Sequence, residues 1–171
     1  MNKAQVRSDL KQNTRELLQS ISDFPEVHFN SCPKEGEWAA GQVAEHLIKV
    51  ESSTVQLFVG STEPSNRNPG LKTTDIKDRL LDFNSKMKAF GPIIPDDKPR
   101  EKTAVLDKLQ DLRQRLTGMI EIEDLTVLVT GFEHPLFGIL TRLEWIYFNI
   151  YHSRRHNRQI QDIRRTFSKK S

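Results

Sequence analysis

The sequence predicts an all-α protein: a four-helix bundle with one accessory helix, with residues 1–171 forming a single domain. Three observations lead there. Apolar residues recur near the 3.6-residue period in five stretches, polar connections bearing Pro or Gly separate those stretches, and only one short run has strand-like composition. At 171 residues the chain can bury one sizeable core, and two domains would be a tight fit.

The first helix is expected over residues 3–21, where Val6, Leu10, Leu17, Leu18 and Ile21 form a stripe. Pro25 ends it, because the residue before a proline is pushed out of helical geometry. Residues 27–37, with Cys32-Pro33 and Gly36, read as a loop. Trp38 then marks the start of a second helix over 39–58, with Val43, Leu47, Val50 and Leu57 inward and His46 beside them. Residues 60–71 are rich in Ser, Thr, Asn, Pro and Gly and are expected to form an exposed, mobile loop. A weaker helix follows over 73–90 on Ile76, Leu80, Phe83, Met87 and Phe90, until Gly91-Pro92 breaks it. The fourth helix spans 101–120 on Val105, Leu109, Leu112, Leu116 and Ile120. Residues 125–129 favour extended backbone, but a lone strand has no partner, so they are expected to be an extended connection. His134 to Gly138 reads as a turn, and a long last helix runs over 139–167.

Composition excludes several classes. Charged residues at 29% and hydrophobic residues at 36% describe an ordinary soluble chain, and no apolar run approaches the roughly 20 residues that span a bilayer. A single cysteine, Cys32, forms no intrachain disulfide and fits a reducing compartment. The polar N-terminus lacks a signal-peptide core, so a cytoplasmic location is expected. Net charge is only +3, although Arg154, Arg155, Arg158, Arg164, Arg165, Lys169 and Lys170 cluster near the C-terminus. Such a run is ordinarily a solvated helix face, and neither nucleic acid nor membrane is the expected partner.

Function concentrates in the histidines. His152 and His156 lie four residues apart, so both rings project from one helix face and can grip one metal ion. Apolar neighbours point that face inward, and burying unpaired ring nitrogens costs about 1–3 kcal/mol each. His46, on an inward face of another helix, is the candidate third ligand. His28, in a loop, and His134, at a turn before Pro135, are read without a ligand role, and Cys32 as a passive thiol. The pair reads His-Ser-Arg-Arg-His, so the glutamate of His-Glu-x-x-His metalloproteases is missing; Gly-rich phosphate loops, nucleophile elbows and di-iron Glu-x-x-His repeats are missing too.

Trp38 heading a helix, His46 eight residues on, and the terminal His152-x-x-x-His156-x-x-Gln159-Ile160 resemble the DinB/YfiT-like superfamily of bacterial four-helix bundles. The stretch from His134 to Thr141, leading into Glu144-Trp145, is similar to one subgroup of it. The resemblance spans roughly residues 3–163. It implies a metal held by His46, His152 and His156, an up-down-down-up helix path and frequent homodimers. Relatives of this kind include thiol-dependent S-transferases and a thiol-dependent isomerase that use low-molecular-weight thiols. Ala39 departs from the pattern, since relatives commonly place a capping Ser or Thr there.

Imidazole ligands suit zinc, nickel or iron. The expected function is a metal-dependent enzyme that activates a thiol or water toward a small molecule, as a thiol S-transferase or a hydrolase. The competing class is a non-catalytic metal-binding or interaction module of the same fold. Asn149, one turn before His152, and Gln159, three residues after His156, are the candidates for orienting a ligand or water. The pocket is expected between the two histidine helices with a connecting loop over its mouth. Coordination requires neutral imidazole, so metal loss is expected on acidification around the unperturbed pKa of about 6.5.

Overall fold

Asn2 starts the first helix by accepting the Gln5 N–H at its side chain, and α1 then runs Lys3–Ser22 in the computed structural model, which describes residues 2–85, 87–89 and 91–169. Its buried stripe is Val6, Leu10, Asn13, Leu17 and Ile21. A single 3-10 turn at Glu26–His28 leads toward α2, Ala40–Phe58. Ala39 has no side-chain acceptor, so α2 keeps half of a capping box: Gln42 Oε1 accepts the Ala39 N–H at 2.9 Å. Gly41 donates to the Phe29 carbonyl at 2.8 Å, and a Cβ there would stand 2.8 Å from Asn30 Oδ1, so a larger residue would have to displace the Asn30 side chain that accepts the Arg100 N–H.

Four helices build the bundle. Arg113 of α4, Lys102–Ile122, reaches Asn13 of α1 at 2.7 Å, while Lys3 reaches the Glu123 carbonyl and Lys102 the Phe24 carbonyl, so α1 and α4 are antiparallel. Along α5, Arg142–Ser168, the bonds Tyr147 to Asp9, Ser153 to Asn13 and Gln161 to Ser20 advance in step, so α1 and α5 are parallel. Asn149 bonds Thr54 and Arg142 bonds the Phe58 carbonyl, which sets α2 antiparallel to α5. The path is therefore up, down, down, up, as the resemblance implied. Buried Leu10, Val50, Phe58, Leu116 and Ile146 belong to one apolar cluster of the core, and Leu17, Phe29, Leu47, Leu109 and Ile160 to the other.

Two sequence expectations need correction. The accessory helix α3 is Thr73–Leu81, not 73–90. Arg155 of α5 takes the carbonyls of Leu80 (3.1 Å) and Asp82 (2.8 Å), which satisfies the helix end that a continued helix would have bonded itself. Phe83 and Met87 are 51% and 39% exposed, and Phe90 lies outside the described residues. The strand-like run does have partners: β2, Leu128–His134, pairs antiparallel with β1, Thr62–Glu63, and with β3, Gly138–Thr141. Ile139 therefore belongs to β3, and the last helix begins at Arg142. Gly138 turns the hairpin at φ +66°, which a side-chain-bearing residue rarely adopts.

Thr141 caps α5 through a complete capping box: its Oγ1 accepts from Glu144 N, and Glu144 Oε2 accepts from Thr141 N. Glu144 also takes Arg67 through both guanidinium nitrogens (2.6 and 2.7 Å) and the Lys72 N–H at 2.8 Å. Burial alone would raise the Glu144 pKa; the Arg67 and backbone donors outweigh it and hold the carboxyl below its usual value. The segment read as a mobile loop is thus tied to the start of α5. No described helix is long and apolar enough to cross a membrane.

Candidate metal centre

Helical geometry places His152 and His156 one turn apart on α5, and the antiparallel α2 brings His46 opposite them. His46 Nε2 stands 3.2 Å from His152 Nε2, which stands 3.1 Å from His156 Nε2. Three ligating atoms, one from each residue, lie within 4.8 Å of one another. Tetrahedral ligands at the usual Zn–N length of about 2.0–2.1 Å would be about 3.3 Å apart, so the two close pairs fit a shared ion. His46 and His152 are 3% and 9% exposed, and His156 keeps a partly exposed edge.

The outward nitrogens decide what the inward ones carry. His46 Nδ1 donates to the Ile93 carbonyl at 2.8 Å, and His156 Nδ1 donates to Gln159 Oε1 at 2.8 Å. A neutral ring has one N–H, so both Nε2 atoms present lone pairs. A proton on His152 Nε2 serves one of those lone pairs and leaves the other facing it unpaired. A cation among the three satisfies all of them, so the donor set fits a metal.

Burial keeps these rings neutral. Desolvation lowers the His46 pKa, with the Ile93 carbonyl opposing and Lys49 adding to the fall. It lowers His152 well below its ordinary value, aided by the neighbouring histidines, and pushes His156 down to about 3. Proton competition for the ligand atoms accordingly moves below the pH of about 6.5 expected for ordinary histidines.

The same shifts predict an acid-sensitive apo-protein. Each folded pKa lies below the unfolded one, so below about pH 6.5 the unfolded chain takes up protons that the folded chain refuses. Stability is then full above 6.5 and falls as pH drops toward about 3, where His156 itself takes a proton, by about 1.4 kcal/mol per pH unit for that histidine. Thermal unfolding of metal-free protein across pH 4–7 checks this. A flat profile between about 5 and 6.5, above the carboxylate range, would contradict it.

One connecting segment packs against the site. A 3-10 turn at Gly91–Ile93 brings the Ile93 carbonyl onto His46, and Lys49 Nζ holds the Ile94 carbonyl at 2.7 Å. Trp38 lies 5.3 Å from the His46 ring, and Phe148 stacks on His152 at 5.3 Å. Gln159 meets His156 rather than open space. Its replacement by Leu should lower metal affinity about 10–100-fold, since lost outer partners typically cost that much; competition with a chromophoric chelator measures it. Asn149 engages both amide hydrogens in the helix contact, on Thr54 Oγ1 (2.9 Å) and the Trp145 carbonyl (2.8 Å).

His28 stacks on Phe167 at 4.4 Å, apart from the site, and Cys32 is exposed. Among the described residues no carboxylate or cysteine joins the three histidines. Sequence reading missed the Ile93 carbonyl, because a backbone acceptor from a distant connection leaves no residue-type signal. It also set His134 aside, although that ring packs against Phe148 at 5.0 Å.

The sequence profile of the DinB superfamily matches residues 9–160, and the chain belongs to that superfamily. A relative from Bacillus subtilis (strain 168), the uncharacterized protein YuaE, is 24% identical over 163 residues, covering 93% of this chain and 95% of the relative. Among solved structures, YfiT from Bacillus subtilis, described as a probable metal-dependent hydrolase with an unusual four-helix bundle topology, matches with a TM-score of 0.63 at 19% identity, covering 97% of this chain and 87% of YfiT. TT2238, a four-helix bundle protein, matches with a TM-score of 0.56 at 20% identity, covering 94% and 99% of the two chains. These likenesses are in fold.

Proposed function

We propose that the protein is a metal-dependent enzyme acting on a small molecule, with His46, His152 and His156 as ligands of one divalent ion, zinc, nickel or iron. The observation that carries this is the convergence of three Nε2 atoms while acceptors on Nδ1 of His46 and His156 turn their lone pairs inward. A divalent ion held there supplies Lewis acidity, acidifying a thiol or water and polarising an electrophile. The chain's own residues do the rest. The Ile93 carbonyl and Gln159 fix ring tautomers and orientation, and burial keeps the imidazoles unprotonated. Trp38 and Phe148 wall the site with apolar surface.

The description of YfiT as a probable metal-dependent hydrolase supports the hydrolytic form of this reading. The lack of a carboxylate in the described cluster favours the thiol form, because a thiol, with an ordinary pKa of about 8.5, needs less help from a protein base than water does. Metal-reconstituted protein assayed with low-molecular-weight thiols plus electrophiles, and separately with activated esters, separates the two. Turnover lost on chelation and restored by metal is the expected result. Full metal occupancy without turnover across both panels would leave the non-catalytic metal-binding module as the function.

A further inference from the structure

A row of rings runs from the histidine centre toward the start of α5. Phe148 is stacked on His152 with an interplanar angle of 12°. His134, delivered by the end of β2, meets Phe148 edge-on at 5.0 Å and Trp145 at 5.8 Å, and Trp145 meets Phe148 at 5.4 Å. Phe132 lies 6.2 Å from Trp145. Trp145, Phe148 and His152 are buried, and Trp145 Nε1 and His152 Nδ1 have no hydrogen-bond partner among the described residues.

His134 Nδ1 accepts the Leu136 backbone N–H at 3.1 Å, so the hydrogen of the neutral ring sits on Nε2. That Nε2–H has no acceptor among the described residues. Trp145 is buried, and its indole N–H has none either. A buried donor left unpaired costs free energy, and the Trp145 N–H is one; the partly exposed His134 N–H beside it offers the same complement to an oxygen acceptor. Burial keeps His134 neutral, with a pKa of about 4.

We propose that His134 and Trp145 form a substrate subsite beside the three-histidine centre: a carbonyl or carboxylate oxygen accepts from His134 Nε2–H and Trp145 Nε1–H, Phe148 packs on the connecting carbons, and the other end of the same molecule reaches the metal. The substrate class is then a small bifunctional molecule, with a metal-directed head and an oxygen acceptor a few bonds away. This inference rests on the metal-centre reading above. It makes His134 a specificity-determining residue.

The test uses the full-length cobalt(II)-loaded protein and its thiolate-to-metal absorption. Mercaptoacetate, mercaptopropanoate and mercaptobutanoate are titrated against alkanethiols of the same chain length. At least one carboxylate thiol should bind about tenfold more tightly than its alkanethiol, the gain worth one charge-assisted hydrogen bond. His134→Phe and Trp145→Phe should each remove most of that gain while leaving alkanethiol affinity unchanged. His134→Gln, which keeps an N–H donor, should retain part of it. Equal affinities throughout the wild-type series would overturn the subsite, with no variant needed. A gain persisting in both Phe variants, as chelation by the carboxylate alone would give, overturns it too. Alkanethiols that bind without any carboxylate gain leave the open metal centre standing and remove only the subsite. A cobalt spectrum unmoved by every thiol would remove both.

Discussion

Replacing His152 with Ala should weaken metal binding by about a hundredfold or more. A complete set of ligands is worth roughly 10–16 kcal/mol in structural zinc sites, so one imidazole contributes on the order of 3 kcal/mol. His152 is the ring whose Nε2 lies close to both others, so its loss breaks both short contacts at once. His46→Ala and His156→Ala should have effects of similar size, and the His152/His156 double variant should hold no ion at this site. His28→Ala should change nothing in affinity, because that ring stacks on Phe167 away from the cluster. Metal content after dialysis, with wild-type loading of one ion per chain as the reference, reads all five proteins. Full retention in the double variant would rule the cluster out.

The second large effect concerns stability. Arg113 and Glu51 are buried between α4 and α2, joined by two bonds at 2.7 and 2.5 Å, with Asn13 accepting a further guanidinium N–H. Glu51→Ala leaves a guanidinium buried without its counter-charge. The expected cost is about 3–5 kcal/mol, or roughly 6–20 °C in Tm for a chain of this length. The paired replacement Glu51→Leu with Arg113→Met removes both charges and should be far milder than either single loss, because desolvating the pair offsets most of its Coulomb gain. Thermal unfolding of the two single variants and the double variant decides this. A double variant at least as unstable as the worse single variant would mean that the pair's Coulomb gain exceeds its desolvation cost. Ser153 shares Asn13 with Arg113, so this network runs directly beneath the helix turn that presents His152.

The bundle was legible because burial on one face imposes a period that survives in sequence, as Leu10, Leu17 and Ile21 or Leu109, Leu112 and Leu116 show. The hairpin was not. Thr62–Glu63 is too short to display alternation, and Gly138–Thr141 runs into the helical pattern of α5, so β2 looked partnerless. The end of α3 was equally hidden, since Phe83 and Met87 extend the apolar spacing while Arg155, more than 70 residues away, takes the terminal carbonyls. The three histidines stood out through spacing and inward facing. Their supports differ in legibility: Gln159 sits at a helical interval from His156, whereas the Ile93 carbonyl and the His134 ring arrive from distant connections.

On the proposed function, one ion is shared by His46, His152 and His156. X-ray absorption at the metal edge of the loaded wild-type protein tests it most directly. Three imidazole nitrogens at about 2.0–2.1 Å for zinc, with the outer-ring scattering of histidine and the remaining positions filled by exchangeable oxygen ligands or an added thiol, are predicted. A first shell of oxygen or protein sulfur alone, without imidazole scattering, would contradict it.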